Sequence, residues 1–238
     1  MNAFVSTMPA VYERLYNANE IAEHAAIVAR REGRPVHAEV WQSSQGPLLC
    51  VVAEDSPGFL ALVTDTLLAQ GLAIQGARAF CREVGENRLE AVDFLELHAL
   101  GADGSAALDS EHLPAFVRSL TELIGDDARL AHGSSAVTPS DSGPVTRVYF
   151  EREPPAEGRY LLVVEAPDSD GLLHNVSSAL HAEGLRIMAC EIRTVGGRAR
   201  DRFEVEPVSR RFLRDSDLCD VQLAVLAALP ARRSSTYS

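Results

Sequence analysis

The chain has no lysine. All 22 of its basic residues are arginine, set against 34 aspartates and glutamates, so the net charge is −12. Sequence-independent nucleic-acid binding rests on neutralising phosphates, and this balance speaks against it. The local run of Arg193, Arg198, Arg200 and Arg202 reads as a solvated strand-loop-strand instead. Cysteine is scarce. Cys50, Cys81, Cys190 and Cys219 form no C-x-x-C pair, and three lie in apolar strand-like runs. They read as small buried thiols of a reducing compartment, not as disulfides or zinc ligands. Long apolar runs are missing too: none approaches the ~20 residues of a membrane helix. The start Met1-Asn2-Ala3-Phe4-Val5 lacks the basic and apolar stretches of a secretory signal. A cytoplasmic location and no membrane partner are the expectation.

Catalytic patterns are equally thin. None of the seven histidines stands beside an aspartate, as a metal hydrolase would need. His174 and His181 share a helix face, but two turns is too far for one metal ion, and they read as surface residues. A nucleotidyltransferase needs a Gly-Ser corner and spaced carboxylates to hold magnesium. Gly133-Ser134 falls in a linker, and Asp215-x-Asp217 sits at a helix start, where Asp is a routine cap. No catalytic residue, metal site or cofactor is expected, and the protein reads as a non-enzyme.

What is present is a repeat, and repeats decide a fold before other signals do. Asp55-Ser56-Pro57-Gly58-Phe59-Leu60 returns 113 residues later as Asp168-Ser169-Asp170-Gly171-Leu172-Leu173, and Gly71-Leu72 returns as Gly184-Leu185 at the same offset. Each copy has an apolar strand (Leu48 to Glu54; Tyr160 to Asp168), the acidic-glycine corner and an amphipathic helix. A two-stranded hairpin and a second helix follow. In the first copy the hairpin turns at Gly85-Glu86-Asn87, and the second helix carries Phe116, Val117, Leu120 and Ile124 before Gly125. Pro57 suits a first helical turn.

The pattern predicts an α+β protein of two ferredoxin-like βαββαβ units with antiparallel sheets. Residues 1–33 form an N-terminal helical segment, capped at Asn17 or Asn19. The first unit covers 34–125, a linker 126–144, the second unit 145–230 and a polar tail 231–238. Leading strands precede both cores, Val36 to Trp41 and Val145 to Phe150. The second unit has no closing strand after its last helix. Exchange of the leading strands is therefore expected, with 145–150 closing the first unit and 36–41 the second, so that no edge stays open.

These residues resemble ACT domains, small-molecule-sensing regulatory modules that usually come in pairs. The likeness rests on Asp-x-Pro-Gly-Phe-Leu after a strand, a helix ending in Gly-Leu, and a hairpin with Asp near the start of its second strand. Thr194 to Phe203 is similar to the hairpin of the tandem ACT pair in bifunctional uridylyltransferase/uridylyl-removing enzymes of PII nitrogen signalling. Met8 to Tyr12 and Glu20 to His24 look like the segment leading into that pair. The second corner departs from the pattern at Ser169 and Asp170. The resemblance implies a regulatory protein that senses a small amino acid, glutamine first, and passes its state to a protein partner not identifiable from sequence. A ligand-free dimerisation or assembly module and a regulatory fragment of such an enzyme are the alternatives, and a homodimer is among the assemblies expected.

The candidate ligand residues are Asp55, Ser56, Pro57, Gly58 and Phe59 at the first corner and Asp168, Ser169, Asp170, Gly171 and Leu172 at the second. A helix N-terminus offers unpaired N–H groups to a carboxylate, and Asp55 or Asp168 would take the ammonium. Asp170 adds a charge beside those N–H groups, so the first corner is expected to be the better site.

Overall fold

The computed structural model describes residues 3–85, 88–100, 105–106, 112–124 and 146–229. The expected linker 126–144, the tail 231–238, the hairpin tip Glu86-Asn87, and Gly125, Gly133, Ser134 and Val145 lie outside the described residues. After two short 3₁₀ turns come α1 (Ala18–Ala29), β1 (Val36–Ser43), β2 (Gly46–Glu54) and α2 (Phe59–Ala69). The first copy continues with β3 (Leu72–Gly85), β4 (Arg88–Ala99), the two-residue β5 (Ser105–Ala106) and α3 (Leu113–Ile124). The second holds β6 (Arg147–Phe150), β7 (Tyr160–Pro167), α4 (Leu172–Ala182), β8 (Leu185–Ile192), β9 (Thr194–Val195), β10 (Arg198–Pro207) and α5 (Asp215–Ala228).

Local chemistry sets the helix starts. The Asn17 side chain accepts from the N–H groups of Asn19 and Glu20, while the Glu20 carboxylate takes the Asn17 N–H at 3.0 Å. This reciprocal box contributes about 1 kcal/mol. α2 and α4 start differently, with Gly58 and Gly171 as N-caps at φ 88° and 81°. Only glycine adopts that left-handed conformation without cost. Pro57 therefore precedes the cap and does not belong to the first helical turn.

The strands form one antiparallel sheet in the order β1-β2-β4-β3-β8-β10-β7-β6, with β5 beside β4 and β9 beside β10. The expected exchange of leading strands does not occur. β1 pairs with β2 from Val36↔Ala53 to Ser43↔Gly46, and β6 pairs with β7 from Arg147↔Glu165 to Phe150↔Leu162. In a ferredoxin-like sheet a closing strand lies beside the first strand of its unit. A leading strand reaches that place through a short connection, at a far smaller loop-closure cost than a crossing to the other unit. Each unit thus closes itself, and residues 145–150 do not close the first one.

Helices α2 to α5 cover one face, over a shared apolar core that includes Val51, Leu67, Leu95, Phe116, Leu162, Val176, Phe203 and Val225. The other face differs between copies. In the first it is covered by residues 4–28, whose Phe4, Tyr12, Tyr16 and Ile27 pack on Trp41, Cys50, Val52 and Phe94. This is why β2 is apolar on both sides. In the second copy the same face is a ladder of ion pairs, Arg200 with Glu165 at 3.4 Å and Arg202 with Glu151 at 2.9 Å. The arginines singled out in the sequence are this solvated face.

His24 lies at the centre of the N-terminal layer. It is fully buried, its Nδ1 is 2.7 Å from the Tyr12 hydroxyl, and its ring stands 4.3 Å from that of Trp41. Burial pulls its pKa down to about 4. A base with a lowered folded pKa contributes stability that is complete above its unfolded value near 6.5 and lost as pH falls towards 4. Lowering the pH from 7 to 4 should therefore loosen this layer and shift the emission of Trp41, the chain's one tryptophan. A His24→Phe variant should lose that transition; an identical titration in the variant would refute the assignment.

Candidate functional site

The two units meet along β3 and β8, which pair only from Ala77↔Ile192 to Phe80↔Ala189. Arg78 and Glu191 face each other near the middle, 3.7 Å apart, and they occupy equivalent positions of the repeat at the 113-residue offset. The seam therefore has an approximate two-fold axis through this pair. At either end the strands part, and each end faces one corner.

At the first corner a small cavity of about 30 Å³ opens between the units. Asp55, Ser56, Gly58, Phe59, Leu60 and Ala61 line it from the corner and the start of α2. Cys81 and Asp93 come from the hairpin, and Ser177, Leu185, Arg186 and Ile187 from the second copy. No side chain caps α2; the Phe59 N–H is taken by Ser56 O at 3.0 Å, and the next residues of that first turn, Leu60 and Ala61, line the cavity. The volume suits one or two water molecules.

The charges are specific. Asp55 Oδ2 receives the Cys81 thiol at 3.3 Å and lies 3.3 Å from Arg186 Nε. That second approach is an ion pair without an aligned hydrogen bond, since Arg186 Nε has no hydrogen-bond partner. Arg186 also reaches Glu206 at 3.8 Å. Burial pushes the Asp55 carboxyl up to about 6, opposed by Cys81 and Arg186. Asp93 is 2% exposed, and its Oδ2 is buried with no partner. Burial, then the charge of Asp55, holds its carboxyl well above the usual range, against an N–H from Phe80.

The second corner is built otherwise. The position equivalent to Arg186 is Ala73, so no arginine reaches Asp168 from β3. Asp170 is instead 2.9 Å from His98 Nε2, and the Asp168 N–H is held by Gly197 O. Asp201 repeats Asp93: it stands opposite Val164 as Asp93 stands opposite Val51. It is fully buried, and its Oδ2 also has no partner. Burial pushes its carboxyl up to about 7, opposed by the Arg193 N–H, with Asp168 adding to the rise.

Of the residues named from the sequence, Asp55, Ser56, Gly58 and Phe59 are brought together around the cavity, Phe59 being a core residue as well. Pro57 is not among the lining residues, and neither are Asp168, Ser169, Asp170, Gly171 and Leu172. Leu172 is a core residue. Sequence reasoning missed Cys81, Asp93 and Arg186. The aspartate of the hairpin was visible as part of the pattern, and its burial was not. Arg186 left only a faint signal, one charge two residues after Gly184 in an apolar strand.

The other polar candidates have structural work. Asp217 accepts the Arg214 N–H at 2.9 Å and pairs with the Arg211 and Arg214 side chains at 3.2 and 3.1 Å. His174 Nδ1 meets the Thr64 hydroxyl at 3.1 Å between α2 and α4, and His181 Nδ1 is buried. The two histidines are thus half-buried packing residues and not surface ones. Among the described residues no helix is long and apolar enough to cross a membrane.

No family model matches the chain. It is 28% identical over 186 residues to the bifunctional uridylyltransferase/uridylyl-removing enzyme of Xanthomonas campestris, which covers 75% of the chain and 20% of that enzyme. The enzyme of the same name from Zymomonas mobilis is 25% identical over 194 residues, covering 79% of the chain and 20% of the enzyme. Among solved structures it is similar to an aspartate kinase from Synechocystis, with a TM-score of 0.39 and 13% identity, covering 87% of the chain and 31% of the kinase. Its two antiparallel α+β units are thus carried by a chain homologous to bifunctional uridylyltransferase/uridylyl-removing enzymes, of whose length it spans about a fifth.

Proposed function

We propose that the chain is a non-catalytic regulatory protein that senses a small amino acid at the first corner. The observation that carries this is the cavity itself. It joins a helix N-terminus without a side-chain cap, an acidic strand end and an unpartnered buried Asp93 oxygen across the seam between two units. The ligand's carboxylate would take the N–H groups at the start of α2. Its ammonium would replace Arg186 at Asp55. Glutamine is the leading candidate, because its carboxamide can both donate to and accept from Asp93 and because the sequence resembles the tandem ACT pair of enzymes of PII nitrogen signalling.

The cavity in its present form is too small for such a ligand, so binding selects a state in which Arg186 has swung away and the seam has opened. Sensing is then a population shift between closed and open seams. A partner protein reads the change.

Titration calorimetry with glutamine, glutamate and asparagine tests the reading. Binding of glutamine is expected to weaken at least tenfold in Asp55→Asn and in Asp93→Leu, and to strengthen as pH rises through 6, where Asp55 ionises. Valine at Gly58 is a poor probe, since it would strain the left-handed cap whether or not a ligand binds. No heat from any of the twenty amino acids, or binding indifferent to both substitutions, would overturn the proposal.

A further inference from the structure

Beyond the point where β3 and β8 separate lies a second and much larger space. It is a groove of about 420 Å³, within the range of small-molecule sites. Its floor is apolar: Met188 and Pro207 are buried, and Leu89 is half-buried beside them. On its rim Phe212 is 66% exposed. A phenyl ring so exposed, at the edge of a cavity and not scattered on open surface, is surface that a ligand would cover.

The rim carries both signs of charge. Glu83, Glu157 and Glu206 stand with Arg159, Arg210 and Arg211. Glu206 is loosely held, at 3.7 Å from Arg159 and 3.8 Å from Arg186, both beyond hydrogen-bond length. Its oxygens stay open to a closer donor. Arg211 reaches Asp217 through Nη1 alone, which leaves the other edge of its guanidinium fork for an incoming carboxylate. The chain holds this arm in place with a tight turn. The Arg210 N–H bonds Pro207 O at 2.8 Å, and Arg210 takes a left-handed φ of 54°, a conformation unfavourable for a residue other than glycine.

We infer that this groove binds a small zwitterion with an apolar or aromatic body, its ammonium on Glu206, its carboxylate on Arg211 and its body between Phe212 and Met188. The site is separate from the first corner and does not need the corner to be occupied. Yet Arg186 touches both, being ion-paired to Asp55 in the corner cavity and to Glu206 in the groove. A ligand that takes Glu206 leaves Arg186 to Asp55 alone and holds the corner closed. The two sites would then oppose one another, and by linkage the effect is reciprocal.

L-Phenylalanine is the probe, with N-acetylphenylalanine and phenylethylamine as analogues lacking one charge each. Calorimetry on the full chain should show phenylalanine binding and at least tenfold weaker binding of either analogue. Glu206→Gln and Phe212→Ser should each weaken it at least fivefold, while Asp55→Asn leaves the groove able to bind. Phe212 is exposed and Glu206 half-buried, and unchanged thermal unfolding would show that both variants fold. Absence of phenylalanine binding at millimolar concentration, or loss through Asp55→Asn but not through Glu206→Gln, would overturn the inference. The first result would leave the corner site standing, and the second would move the ligand to it.

Discussion

Replacing Asp201 by asparagine should raise the free energy of unfolding at pH 8 by roughly 2–4 kcal/mol and change it little at pH 4. Asp201 is fully buried, one of its oxygens has no partner, and its carboxyl titrates at about 7 in the folded chain. An unfolded aspartate titrates near 3.9. Between those values the folded state holds a proton that the unfolded state has released, so wild-type stability falls as pH rises through this window. The penalty is complete above about pH 7 and absent below about 4. Asparagine has the shape of the protonated acid and cannot ionise, so its profile should lack that slope. Urea unfolding at several pH values measures it, and parallel profiles for the two proteins would contradict the burial argument. Asp93, equivalent in the repeat and equally unsatisfied, should behave alike. Two such costly groups at matched positions are a stability sacrifice of the kind that sites make.

Replacing Glu90 by alanine should destabilise the protein by about 3–5 kcal/mol. Glu90 is 4% exposed and clamps two arginines, Arg31 at 2.6 Å through one oxygen and Arg82 at 2.6 Å through the other. Arg31 follows α1, while Arg82 belongs to β3 and also touches the Thr7 hydroxyl at 3.2 Å and stands over the Phe4 ring. Truncation leaves both guanidinium groups uncompensated in a poorly solvated place. It also undoes the tie between residues 4–31 and the sheet. Denaturant unfolding gives the magnitude, and faster proteolytic loss of the N-terminal segment gives the location. Glu90→Gln, which keeps the acceptor without the charge, should fall between. A loss under 1 kcal/mol in the alanine variant would show that water reaches the arginines.

The sequence alone determined the repeat, its helices and strands, and the two corners. These follow from local causes: apolar periodicity, glycine where φ must be positive, and Asn17 placed to cap α1. It also showed the hairpin aspartates, though only as part of a pattern. Tertiary structure decided which strands meet. The choice between a leading strand that folds back on its own unit and one that crosses to the other turns on chain entropy, which apolar alternation does not encode. It decided that β3 and β8 join the units into one sheet around Arg78 and Glu191, and so that Arg186 of one copy faces Asp55 of the other. A contact between residues 131 positions apart leaves no local trace, because nothing in the neighbourhood of either depends on it. The unequal corners have the same origin. Arginine at 186 and alanine at 73 look like ordinary strand residues until the two-fold seam sets them in equivalent places, one beside an aspartate and the other leaving its aspartate without a partner from β3.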